Sequence, residues 1–176
     1  MSTPSAKLLV CAGEKFACIR IIGRANFSSS IDFKTLLNEL LQKGFTYFVL
    51  DLSECMLMDS TFLGVLAGLG LKMNAAQPDQ ADPAIELLNP NPRITDLLES
   101  LGVLHLFKLA QGPVALPDQV QSHVHQPVDA SREDVTRACL EAHRTLMEIN
   151  PDNVAKFKEV AQFLAEDLKR VKPEER

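Results

Sequence analysis

Asp59, Ser60 and Thr61 stand side by side in "MDSTFLG", residues 58–64. Before them comes the apolar run Met56-Leu57-Met58, and after them a stretch from Phe62 to Leu71 with hardly a polar atom. Polar groups at such a junction are costly to bury unless they find partners. A hydroxyl beside a carboxylate suits a nucleophile, a helix cap or an acceptor for a phosphoryl group. A hydrolase nucleophile wants a G-x-S-x-G elbow, and Met58 and Phe62 stand where its glycines would be. Asp59 as a catalytic acid has no second carboxylate or histidine placed locally to work with it. Asp51, at the end of the preceding apolar strand, is read as a partner for turn amides.

If a helix starts at Ser60, its first four N–H groups lack internal partners, and a serine there can accept from them. The same N–H groups and the helix dipole stabilise a phosphate carried on that hydroxyl. The acid-Ser-Thr turn is therefore chemically suited to carry a phosphoryl group, with a plain N-cap as the simpler alternative.

The remaining reactive residues carry less. Cys11, Cys18, Cys55 and Cys139 share no CxxC spacing and are read as reduced thiols, Cys11 and Cys18 as small hydrophobes in strands. His123 and His125 form an H-x-H without a third ligand, and His105 and His143 are isolated and receive no role. No metal site and no cofactor are expected. A net charge of −5 and a pI near 5.4 argue against nucleic acid. The most apolar segment, "FLGVLAGLGL", is well short of the ~20 residues of a bilayer crossing. Its Gly64-x-x-x-Gly68 pair is read as close packing of a helix on a sheet. The N-terminus lacks the cationic start and apolar length of a signal peptide. A cytoplasmic protein away from the membrane is the expectation.

The elements that must position these residues follow from periodicity. "KLLVCAG" and "FACIRIIG" read as a hairpin, and "RANFSSSIDF" as a loop in which Ser28, Ser29 or Ser30 caps the next helix. Phe33, Leu36, Leu37, Leu40 and Leu41 recur at helical steps, and Gly44 ends that helix. "TYFVLDLS" is a buried strand. The helix from Ser60 to about Ala75 is apolar nearly all round and must be largely covered. "AIELLNP" is a strand. "NPRITDLLESLGV" is a helix with Pro92 in its first turn and Gly102 as its stop, and "LHLFKLA" is an edge strand. This alternation predicts an α/β fold, a sheet with parallel crossovers and helices packed on it.

Residues 111–130 carry three prolines and no periodicity, which reads as a linker. Beyond it Ser131 precedes a helix with Val135, Cys139, Ala142, Leu146 and Ile149 on one stripe. Asn150-Pro151 breaks it, with Asn150 as cap and Pro151 as first residue of the next helix. Val154, Phe157, Val160, Ala161, Leu164 and Leu168 form a second stripe. A hairpin that small needs a further surface to bury its stripes.

The segment "FVLDLSECMLMDSTFLGVLAGL" closely resembles the centre of the STAS domain, found in anti-sigma factor antagonists and at the cytosolic end of sulphate transporters. Asp51-Leu52-Ser53, Met58-Asp59-Ser60-Thr61 and Leu63-Gly64-Val65 carry the resemblance, and "NPNPRITDLLESLGVLHLF" resembles a later family stretch. It covers roughly residues 7–110 and departs at Phe62, where the family has glycine. The resemblance implies a STAS-like mixed sheet of four or five strands with helices packed on it. The domain would occupy residues 1–110, followed by the linker 111–130 and a C-terminal helical hairpin over 131–176.

The resemblance also implies a function: a bacterial, non-enzymatic regulator of transcription working by partner switching. Ser60 would be the phosphoacceptor, with Thr61 second. Asp59, Ser60, Thr61, Phe62 and the exposed positions of the 60–75 helix would form the partner-binding face, with Asn26 and the rest of the 24–30 loop beside them. The implied partners are a serine kinase that is itself the anti-sigma factor, and a phosphatase. The alternative is a scaffold module that oligomerises, as a homodimer for instance, through the C-terminal helices, with Ser60 rarely modified.

Overall fold

The computed structural model describes residues 6–13, 16–113, 123–124 and 129–174. Strand β1 (Lys7–Ala12) pairs antiparallel with β2 (Phe16–Ala25), as the hairpin reading requires. Helix α1 (Phe27–Gln42) then crosses to β3 (Tyr47–Asp51), parallel to β2. A short β4 (Cys55–Met58) lies parallel against the end of β2, where the register shifts between Gly23 and Arg24. Helix α2 (Ser60–Ala76) leads to β5 (Ile85–Leu88), and α3 (Pro92–Ser100) with a 3-10 turn (Leu104–Leu106) leads to β6 (Lys108–Ala110).

The resulting sheet runs β6-β5-β3-β2-β1-β7, with β4 on β2 and with β7 (His123–Val124) antiparallel to β1. It is mixed, as expected, but wider than four or five strands. The two additions are short: β4 lies in the methionine-rich lead-in to Asp59, and β7 lies in the segment read as linker. Most of that linker falls outside the described residues.

Alternation along the strands sorts the sheet's faces. Ala17, Ile19 and Ile21 of β2, Phe48 and Leu50 of β3, and Ile85 and Leu87 of β5 are wholly buried, together with Phe33 and Leu37 of α1 and Leu63 and Leu66 of α2. The opposite face carries polar pairs. Arg20 Nε donates to Asp51 Oδ2 at 2.9 Å between registered positions, and Tyr47 Oη donates to Glu86 Oε2 at 2.6 Å. Asp51 Oδ1 also accepts from the Ser53 amide at 3.1 Å and the Ser53 hydroxyl at 2.7 Å, which fixes the turn after β3.

Two expected starts move. The supposed loop before α1 is short, because β2 runs to Ala25 and α1 begins at Phe27. Asn26, not a serine, is the cap: its Oδ1 accepts from the Ser28 and Ser29 amides, and Ser29 Oγ reciprocates at the Asn26 N–H. This box satisfies orphan backbone donors reciprocally.

The C-terminal helices are α4 (Arg132–Ile149), capped by Ser131, and α5 (Asn153–Glu174). The break falls at Asn150-Pro151, but Pro151 and Asp152 form a turn, and α5 begins at Asn153. Asn150 caps that turn, with Oδ1 accepting from the Asp152 amide at 3.1 Å. The hairpin's further surface is supplied by the same chain: α4 lies along α2 and α1. Leu140, Ala142 and Leu146 are buried there, whereas Val154 and Val160 of the predicted second stripe are exposed.

Candidate functional site

The site is built where two strand ends and two helix starts meet. Asp59 follows β4, and its amide donates to Ala25 O at the end of β2 at 2.9 Å. Its carboxylate takes the Phe62 N–H on Oδ1 at 2.8 Å and the Phe27 N–H on Oδ2 at 2.8 Å. One side chain thus caps α2 and ties its start to the start of α1. The cap expected of Ser60 belongs to Asp59, and Ser60 is the first helical residue. Burial pushes the Asp59 carboxyl above its ordinary value, against the pull of the two amide bonds and of the nearby His143.

Freed from capping, the Ser60 hydroxyl points at the C-terminal hairpin. Ser60 Oγ lies 2.9 Å from His143 Nε2. His143 is 5% exposed, with Nδ1 2.6 Å from Cys139 O on the preceding turn of α4 and its ring edge-on to Phe157 of α5 at 5.0 Å. A carbonyl can only accept, so Nδ1 carries a proton. In the neutral imidazole Nε2 then accepts from the Ser60 hydroxyl.

Thr61 is buried close to the Cys139 thiol, whose pKa burial raises. Gly64, one turn on, is in such close approach to α4 that a Cβ there would sit 2.4 Å from Ala142 O. At Gly68 the same test meets Thr145 Cγ2 at 3.4 Å. Thr61, Gly64 and Gly68 are therefore the stripe on which α4 rests, and the small residues serve helix-on-helix packing rather than helix on sheet.

The other predicted partner-binding residues divide. Phe62 turns into the core, wholly buried with its ring 5.0 Å from that of Phe33, and offers no surface. Asn26 is partly exposed beside Asp59 but is occupied as the α1 cap. Phe27, in the 24–30 loop expected beside this face, is an exposed apolar side chain whose amide meets Asp59, and the exposed Met56 of β4 went unpredicted. So did His143, whose sequence distance of 83 residues from Ser60 leaves no local signal.

A second anchor holds the hairpin. Gly102 ends α3 with φ 71°, and a Cβ there would meet Asn150 Nδ2 at 2.4 Å. Asn153 is fully buried, and its Nδ2 donates to Leu101 O at 2.9 Å and Leu146 O at 2.8 Å. Lys156 Nζ donates to Ser100 O at 2.8 Å. Among the described residues no group of three His, Cys, Asp or Glu side chains could hold a metal ion, and no helix is long and apolar enough to cross a membrane.

Chemically, the turn offers a hydroxyl at a helix start, a neighbouring carboxylate fixed by two amides, and an imidazole on the hydroxyl. The STAS domain family model matches residues 12–115. Among solved structures, the anti-sigma factor antagonist SpoIIAA in its unphosphorylated form superposes with a TM-score of 0.50 at 19% identity. That match covers 60% of this chain and 88% of SpoIIAA. A Thermotoga maritima protein assigned to the anti-sigma factor antagonists gives a TM-score of 0.51 at 19% identity, covering 60% of this chain and 86% of its own. A comparison with curated proteins finds no match.

Proposed function

The chain belongs to the STAS domain family, and on that premise we propose that it is a phosphorylation-switched binding protein acting as an anti-sigma factor antagonist. It performs no catalysis of its own. Ser60 is the phosphoacceptor, with Thr61 second, and the donor is a cytoplasmic serine kinase that is also the anti-sigma factor. A phosphatase restores the hydroxyl. The observation that carries this reading is the Ser60 hydroxyl at the first position of α2, directly after the Asp59 cap and matching the family motif. Helix N–H groups favour an anion there.

Around it, Asp59, Asn26, Phe27 and Met56 provide a rim on which a protein partner can dock. A phosphate adds about −1.5 to −2 charge beside Asp59, and like-charge repulsion with desolvation then opposes that contact. Phosphopeptide mass spectrometry on protein from its native cell, with Ser60→Ala as control, tests the acceptor. A pull-down with Ser60→Asp tests the switch. If no phosphate appears on Ser60 or Thr61 and Ser60→Asp holds its partner like the wild type, the reading fails.

A second reading has its own support. Phe163 is 66% exposed on α5, with Val160 also exposed nearby, and the Ser60 hydroxyl is already engaged by His143. A scaffold that associates through α5, with Ser60 seldom modified, fits those facts.

A further inference from the structure

We infer that the α4–α5 hairpin is an intramolecular cover of the Ser60 turn, and that a phosphate on Ser60 and the docked position of α4 exclude each other. The inference rests on the reading of Ser60 as a phosphoacceptor, and it adds how access to that serine is controlled.

With Ser60 in the rotamer that meets His143, the geometry leaves no room for both. Ser60 Oγ and His143 Nε2 are 2.9 Å apart, an ordinary hydrogen bond with nothing between. A phosphoester puts a phosphorus and three further oxygens into that space. Even a charge-assisted contact needs about 2.7–2.9 Å from a phosphate oxygen to the imidazole nitrogen. His143 Nε2 must therefore retreat by the depth of a phosphoryl group.

His143 does not retreat alone. Its Nδ1 is held by Cys139 O, its ring is packed on Phe157, and it is almost wholly buried. Its own helix is seated against α2 through Ala142 on Gly64 and Thr145 on Gly68, so the ring moves when α4 moves. Close-packed interfaces of this kind are bistable rather than continuously deformable. Moreover, the new charge would arise next to the Asp59 carboxylate, where the one facing cation that could form is His143 itself, held back by its packing on Phe157. The nearest ion pair that α4 makes with the domain, Lys34 Nζ to Glu141 Oε2 at 3.6 Å, is on the rim of the interface and already neutralised.

The second anchor is independent of Ser60. Asn153 and Lys156 bind the Ser100-Leu101 backbone, on the far side of the hairpin's turn. Undocking of α4 thus pivots on an attachment that phosphorylation does not touch. By linkage, whatever a Ser60 phosphate does to the docked hairpin, the docked hairpin does equally to the phosphate. A closed hairpin resists modification, and a modified serine holds the hairpin open.

The test needs no kinase. Phosphoserine is incorporated at position 60 during synthesis of the full chain, and hydrogen exchange is compared with the unmodified chain and with Ser60→Ala. The expected result is exchange about tenfold or more faster at the amides of residues 132–149 in the phosphoserine protein only. Sheet amides of β2, β3 and β5 remain as protected as before, which shows that the domain is folded. A Gly68→Cys/Thr145→Cys disulfide across α2 and α4 should restore protection to the phosphoserine chain when oxidised and lose it when reduced.

Unchanged protection of α4 in the phosphoserine chain would overturn the inference, His143 then acting as a ligand of the phosphate. The outcome is separable from the switch itself. If phosphoserine releases α4 but no cell ever phosphorylates Ser60, the mutual exclusion stands and the switch falls. If the cell phosphorylates Ser60 while α4 stays protected, the switch stands and the cover falls.

Discussion

Ser60 and His143 share a hydrogen bond of 2.9 Å between the first residue of α2 and the middle of α4. It couples the motif turn to the C-terminal extension. A neutral bond of this kind is worth about 0.5–1.5 kcal/mol net, and truncating the buried imidazole also loses its packing on Phe157. His143→Ala should therefore destabilise the chain by about 1–3 kcal/mol, and Ser60→Ala by less. In a double-mutant cycle by urea denaturation the two losses should be sub-additive by about 1 kcal/mol. Strict additivity would mean that the contact contributes nothing.

The two glycines facing α4 should respond in opposite directions. Alanine favours a helix interior over glycine by about 1 kcal/mol. At Gly68 the added methyl meets a threonine methyl at 3.4 Å, so Gly68→Ala should be neutral or stabilising. At Gly64 it would strike the Ala142 carbonyl, which is backbone and cannot turn aside, so Gly64→Ala should lower stability by about 1–3 kcal/mol. Thermal melting of the pair decides it, and equal shifts would contradict the packing described.

Phe62 stands where the family motif has glycine, and the structure gives it a core role. It is wholly buried against Phe33 between α1 and α2. Phe62→Ala should cost about 3–5 kcal/mol, whereas Phe62→Leu should cost far less. A destabilisation below about 1 kcal/mol for the alanine variant would show that the site collapses freely.

Burial raises the Asp59 carboxyl above its ordinary 3.8, so the folded chain holds that proton more tightly than the unfolded one. Its contribution favours folding in full below that value and is lost as pH rises through the raised folded one. Asp59→Asn cannot ionise. Relative to wild type, the variant should thus gain stability on going from about pH 3 to about pH 6. The opposite trend in urea midpoints would mean that the Phe27 and Phe62 amide bonds outweigh the burial of the charge.

Cys18 and Cys55 are buried thiols whose pKa burial pushes up to about 11. Since the thiolate is the reactive form, alkylation at about pH 8 should be at least 100-fold slower in the native chain than in urea. Mass spectrometry of the labelled peptides reads both rates. Rapid native labelling of Cys55, which lies in β4 next to the site, would show that this short strand opens often.

Sequence alone determined the main helices and strands and their order, though not the short β4 and β7 or the 3-10 turn at Leu104–Leu106, because each main element is dictated by local chemistry. The period of Phe33, Leu36, Leu37 and Leu40 makes α1, the unbroken apolar run Tyr47 to Leu50 makes β3, and Pro92 with Gly102 brackets α3. The motif around Asp59 was legible for the same reason, as was the need of the C-terminal stripes for a further surface. Which residue capped which helix was not legible. Asn26, Ser28, Ser29 and Ser30 are all good caps, and so are Asp59 and Ser60, so the choice fell to the length of β2 and the position of β4. The surface that covers the hairpin and the residue that meets Ser60 were decided only in three dimensions. His143 carries no periodicity or spacing that points to Ser60. A chain of small residues on α2 must first let α4 approach, and only that approach converts an isolated histidine into the partner of the motif serine.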